Sequence, residues 1–80
     1  MKILKFYSDT CGPCKTLGEN LVKANIPHIA YNAEDDDNEE LLSKYSIRGL
    51  PTLVKTDDEG NVLDKHTGLM TVDQLLKWCE

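Results

Sequence analysis

Two of the chain's three cysteines stand at positions 11 and 14, in the stretch SDTCGPCKTL, with only Gly12 and Pro13 between them. Thiols act as nucleophiles, as metal ligands and as disulfide partners. Three chemistries are therefore open: a structural disulfide, half of a zinc site, or a dithiol pair that cycles between reduced and oxidised forms. Residues three apart on a helix are neighbours, near enough to meet the Cα separation a disulfide requires. Closing so short a loop removes little entropy from the unfolded chain, so the bond is a poor staple, and the same geometry makes it easy to open and close. Zinc needs further ligands. No second CxxC or HxxxH pair is present, and His28, His66 and Cys79 stand singly and far apart. An odd number of cysteines also fits poorly with a secreted disulfide framework. Redox chemistry is the favoured reading of the pair.

The elements around the pair suit that chemistry. Ile3–Tyr7 reads as a strand, apolar on both faces apart from Lys5, which predicts a central place in a sheet. A helix is expected from about Pro13 to Ala24, with Cys14, Leu17, Gly18 and Leu21 as its inner stripe and Asn25 and Pro27 ending it. Cys11 then lies just before the helix, where free N–H groups and the helix dipole stabilise a thiolate and draw a thiol pKa of about 8.5 toward roughly 7. Cys14 falls one turn inside and is less exposed. The expected division of labour is that Cys11 attacks a substrate disulfide and Cys14 resolves the mixed disulfide. Gly12 leaves room for a partner to approach, and Pro13 fixes the first turn.

Downstream, His28–Asn32 reads as a second strand. A helix over about Asp37–Tyr45 turns Leu41, Leu42 and Tyr45 inward, and "PTLVKT" and "NVLDKH" form a hairpin around "DDEG" with Gly60 at positive φ. The last helix begins at Thr71, with Gln74 at capping-box spacing and Val72, Leu75, Leu76 and Cys79 on its buried face. The order β-α-β-α-β-β-α predicts an α/β fold: one mixed sheet covered by helices on both faces, its first two strands parallel and its hairpin antiparallel.

With 80 residues there is room for one domain, residues 1–80. The net charge is −5, and six of the fourteen carboxylates fall between Glu34 and Glu40. Such a chain is repelled by phosphate backbones and anionic membranes, so neither nucleic acid nor membrane is an expected partner. The acidic run reads as a solvated helix start. "MKILKFY" is too short and too interrupted for a signal-peptide core, so the expected compartment is a reducing cytoplasm. Cys79 reads as a small core residue, Tyr7 and Tyr31 as core aromatics.

On these residues the chain resembles the thioredoxin family, in its small, glutaredoxin-sized form. "CGPC" matches the thioredoxin active-site sequence, "SIRGLPTLV" at Ser46–Val54 is similar to the segment with the family's cis-proline, and "GLMTVDQL" at Gly68–Leu75 to its last loop and helix. The resemblance covers nearly the whole chain. It implies a minimal thioredoxin fold with a four-stranded mixed sheet, and a dithiol–disulfide oxidoreductase using a Cys11–Cys14 disulfide with no bound cofactor and no metal. It also implies a cis Leu50–Pro51 bond facing the cysteines, a Leu50 backbone that pairs with an extended substrate segment, and Gly49, Gly68 and Leu69 completing a shallow apolar groove. Read from residues alone, Pro51 would be a trans proline opening a strand. The implied electron donor is a thioredoxin-reductase-like flavoprotein. The implied recipients are disulfide-containing proteins, ribonucleotide reductase among them, and the expected state is a monomer.

The departures carry information too. Full-size thioredoxins have an additional N-terminal strand and helix, and Thr10 stands where they have tryptophan. "FYSDTC" is closer to glutaredoxins and motivates a glutathione-linked alternative, but Gly49-Leu50-Pro51 and the single Gly68 depart from the glutaredoxin pattern. Lys5 occupies the slot of a buried aspartate in the family, and the lysine that often pairs with that aspartate aligns with Ala30. Lys5 has two readings: it lies beneath the site with a lowered pKa, stabilising a thiolate or relaying protons, or it snorkels to solvent with no role.

Overall fold

In the computed structural model, which describes residues 1–80, strand β1 (Lys2–Tyr7) lies inside a four-stranded sheet of order β2-β1-β3-β4. Strand β2 (Ile29–Asn32) runs parallel to it, while β3 (Thr52–Thr56) and β4 (Val62–Thr67) follow antiparallel. Alternation along β1 makes it central, because each face of the strand feeds a different core. Ile3 joins Leu17, Leu21, Leu53, Met70 and Leu75 in one cluster. Leu4 and Phe6 join Tyr45 and Val54 in the other. Helices α1 (Gly12–Lys23) and α3 (Val72–Trp78) thus cover the first face, and α2 (Glu39–Lys44) the second. This is the open α/β architecture expected, and no helix is long and apolar enough to cross a membrane.

Helix ends follow local chemistry. Asn25, at φ 55°, ends α1: its amide bonds the Val22 carbonyl and the Ile26 amide bonds that of Leu21, while Ile26 packs on the cluster containing Leu21. That is a Schellman closure with asparagine in place of the usual glycine. The same closure ends α2 at Ser46, φ 53°, with the Ile47 amide on the Leu42 carbonyl. The Lys65 ammonium donates to the carbonyls of Tyr45 and Ser46. The acidic segment opens as a 3-10 turn (Asp36–Asn38) capped by the Asp35 carboxylate, so the helix predicted from Asp37 divides into that turn and α2. Gly60, at φ 88°, turns the β3–β4 hairpin, and a bulge at Lys55/Thr56 twists its start.

The last helix differs from expectation on one face. Thr71 and Gln74 form the predicted capping box. Leu76, however, is 49% exposed. The inner face is narrower than the apolar pattern suggested because Trp78, not Leu76, turns toward the sheet. Its indole N–H donates to Asp64 on β4, and the Lys55 ammonium lies over its ring while donating to its carbonyl oxygen. Cys79, expected in the core, is half-buried at the end of α3, where burial pushes its thiol pKa up against a smaller opposing pull from Lys55.

Candidate active site

The site begins where β1 ends. The Tyr7 carbonyl accepts from the Ala33 amide, and the following loop is tied to the end of β2 through Asn32 Nδ2 to the Asp9 carboxylate (3.4 Å) and Thr10 Oγ1 to Glu34 (3.5 Å). The Cys11 amide then bonds the Ser8 carbonyl, turning the chain into α1 with Cys11 as its N-cap and Pro13 in the first turn. Proline suits that position, since the N–H it lacks would have no helical partner.

Cys11 and Cys14 form a disulfide with a Cα–Cα separation of 5.2 Å. Their environments differ in the sense predicted. Cys14 is only 2% exposed, whereas Cys11 is half-buried at the helix tip. The Cys14 amide donates to the Cys11 sulfur at 3.1 Å, one of the first-turn N–H groups that the helix itself leaves unused. Gly12 is open: a Cβ there would meet nothing within 4 Å.

Below the pair is a cavity of about 350 Å³ lined by both cysteines, Lys5, Tyr7, Asp9 and Gly18 among others. Lys5 lies on the face of β1 that α1 covers, opposite Leu53 and beside Ala30 in register. Its ammonium is 5.1 Å from the centre of the Tyr7 ring and occupies space that Gly18 leaves free. Burial lowers its pKa from the ordinary lysine value. Tyr7, expected to be a core residue, is instead half-buried at this cavity. The signal was available in the strand period: Tyr7 is two residues from Lys5 and shares its face.

A second group forms at the same end of the sheet. The Leu50–Pro51 bond is cis. The last register pair, Phe6 with Thr52, sets Pro51 at the level of Tyr7. The Gly68 amide donates to the Pro51 carbonyl at 2.8 Å, and Thr52 Oγ1 to the Gly49 carbonyl at 2.6 Å, so Gly49, Pro51 and Gly68 are fastened together, with the Pro51 side chain itself buried. Gly68 has φ 114°, which only glycine adopts readily, and a Cβ on Gly49 would come 3.1 Å from the Thr67 methyl. Neither the amide nor the carbonyl of Leu50 takes part in a backbone hydrogen bond, and the Leu69 side chain is half exposed. These residues lie outside the lysine-lined cavity.

No three His, Cys, Asp or Glu side chains converge as a metal site. The acidic segment is turned outward around its own backbone caps, and His28 is held by a 2.9 Å contact between Nδ1 and the Ile26 carbonyl.

An open mixed α/β sheet, with a CxxC disulfide at the tip of the helix after its central strand, defines the thioredoxin fold class. The thioredoxin family profile matches residues 1–80, and the chain belongs to that family. It is 32% identical over 76 residues to a thioredoxin of Mycoplasmoides gallisepticum, covering 91% of this chain and 75% of that protein. Over 77 residues it is 31% identical to the mitochondrial thioredoxin of Bos taurus, covering 91% of this chain and 46% of the other, so the chain spans about half the length of that relative. Among solved structures, a thioredoxin-like protein from Clostridium perfringens superposes with a TM-score of 0.83 at 30% identity, over 96% of this chain and 66% of the other.

Proposed function

We propose that the chain is a protein dithiol–disulfide oxidoreductase that reduces substrate disulfides through Cys11 and Cys14. The observation that carries this reading is the asymmetry of the pair: a reachable Cys11 sulfur at a helix N-terminus, accepting the Cys14 amide, beside a Cys14 sulfur shielded from solvent. The first is suited to attack, the second to resolve.

In the reduced state, the Cys11 thiolate attacks one sulfur of a substrate disulfide. A Cys11–substrate bond forms, the substrate S–S bond breaks, and the other substrate sulfur leaves as a thiolate. Cys14 gives its proton to water and attacks the Cys11 sulfur. The Cys11–Cys14 disulfide forms and the second substrate thiolate departs. The substrate gains two electrons and the cysteine pair loses two, so no bound cofactor is required. The free backbone of Leu50, flanked by Gly49, Pro51, Gly68 and Leu69, is the candidate strip against which an extended substrate segment lays a strand.

A thioredoxin-reductase-type flavoprotein is the proposed source of electrons, and ribonucleotide reductase a candidate recipient in a reducing cytoplasm. The thioredoxin relatives favour this donor over glutathione. Reduction of insulin disulfides, followed with NADPH and a thioredoxin reductase, tests the assignment. Wild type should turn over and Cys11→Ser should not; equal rates for the two proteins would reject it.

A further inference from the structure

We propose that Lys5 is the charge partner of Cys14: its ammonium, in the cavity shared with the cysteine pair, favours the Cys14 thiolate and so sets the pH at which the mixed disulfide is resolved. This rests on the oxidoreductase reading above and assigns Lys5 a positioning role within it.

The geometry separates the two readings of Lys5. A snorkelling lysine lays its stem along apolar surface and carries its ammonium out to water, but here the ammonium itself is 5.1 Å from the Tyr7 ring centre. A Cβ on residue 18 would come 3.0 Å from Nζ, so the ammonium sits against α1 in the gap that Gly18 leaves. The sole ion pair of the chain joins the N-terminal amine to Asp58, so no carboxylate lies within 4.0 Å of Lys5. Asp9, the carboxylate at this cavity, faces the Asn32 amide, and Lys15 is exposed on α1. The other titratable groups there are Tyr7 and the two cysteines. The register neighbours of Lys5 on β2 and β3 are Ala30 and Leu53, neither of which ionises. The ammonium is thus a partly desolvated cation without an anion, and the anion that appears on reduction is a thiolate.

Burial alone favours the neutral lysine, as its lowered pKa reflects. Burial alone also favours a neutral Cys14 thiol. Placed in one cavity, each charge offsets the desolvation cost of the other, and the two titrations become coupled. At the resolving step Cys14 loses its proton to cavity water, its sulfur forms the bond to Cys11, and the ammonium keeps its own protons throughout.

The test isolates Cys14 in a Cys11→Ser/Cys79→Ala background and follows thiolate absorbance against pH. Lys5→Met should raise the Cys14 titration by about one pH unit, roughly a tenfold gain in proton affinity, and Lys5→Arg should keep it low. Superimposable titrations with and without the Lys5→Met substitution would overturn the proposal. A second measurement needs no substitution at Lys5. By linkage, the NMR titration of the Lys5 side chain should move upward in the reduced wild-type protein relative to the oxidised one; identical curves in both redox states would also overturn it. Insulin reduction tests the oxidoreductase reading separately. Failure there with coupled titrations intact would remove the function and leave the charge pair standing.

Discussion

The amide of Cys14 donates to the sulfur of Cys11 across 3.1 Å, so the buried member of the pair holds the accessible one at the helix tip. In the proposed mechanism the same N–H favours a Cys11 thiolate once the pair is reduced, while Cys14, 2% exposed, has no comparable access to solvent. At neutral pH, iodoacetamide should therefore alkylate Cys11 at least ~10-fold faster than Cys14, as read by mass spectrometry of tryptic peptides. Cys14→Ser should accumulate a mixed disulfide with substrate. Equal labelling of the two sulfurs would contradict the assigned roles.

Ser46 closes α2 in the left-handed region at φ 53°, where a side chain carries a steric cost that glycine lacks. Ser46→Gly should stabilise the fold by about 0.5–1 kcal/mol after the added flexibility of the unfolded chain is subtracted. Thermal unfolding should shift upward by several degrees; a lower Tm would mean that the serine side chain makes a contribution of its own.

Thr71 and Gln74 satisfy two otherwise free amides at the start of α3. Thr71→Ala should cost about 1 kcal/mol, and Thr71→Ser much less, in urea unfolding with unchanged m-value. The distinction matters because α3 supplies Leu75 to the core beneath α1.

Asp57 folds the β3–β4 turn around its carboxylate, accepting from the Asn61 amide, the Asn61 side chain and the Glu59 amide. These bonds, led by that from the Asn61 backbone, hold its pKa below the ordinary carboxylate value. A carboxylate depressed in the folded state stabilises it above the unfolded pKa of about 3.9, and that contribution is lost as pH falls through the lower folded value. Asp57→Asn should weaken the acid dependence of stability below about pH 4. An unchanged acid limb in chemical denaturation would show that the turn does not contribute to it.

Much of this molecule was legible because its signals are local. The apolar run of Ile3–Phe6 (broken only at Lys5), the glycine of the hairpin and the Thr71–Gln74 spacing each act within a few residues, and each element formed where the pattern placed it. The cis bond before Pro51 had no such local signature and followed only from family resemblance. Leu76 was misplaced because apolar spacing within α3 cannot reveal that Lys55 on β3 and Asp64 on β4 would draw Trp78 toward the sheet. The cavity beneath the disulfide escaped for the same reason. Lys5 was conspicuous, but which of its two paths it takes depends on Gly18, a residue that meets it only after α1 crosses the sheet.

Everything that lines the sulfur cavity comes from one uninterrupted span, Lys5 through Gly18, whereas Gly49, Pro51 and Gly68 belong to later connections joined by their own hydrogen bonds. On the proposed function, reactivity and recognition are consequently encoded in separate cassettes. With the proposed roles, substitutions in the later loops would retune which proteins are accepted without disturbing the sulfurs, and a change at Lys5 would retune the sulfurs while leaving those loops as they were.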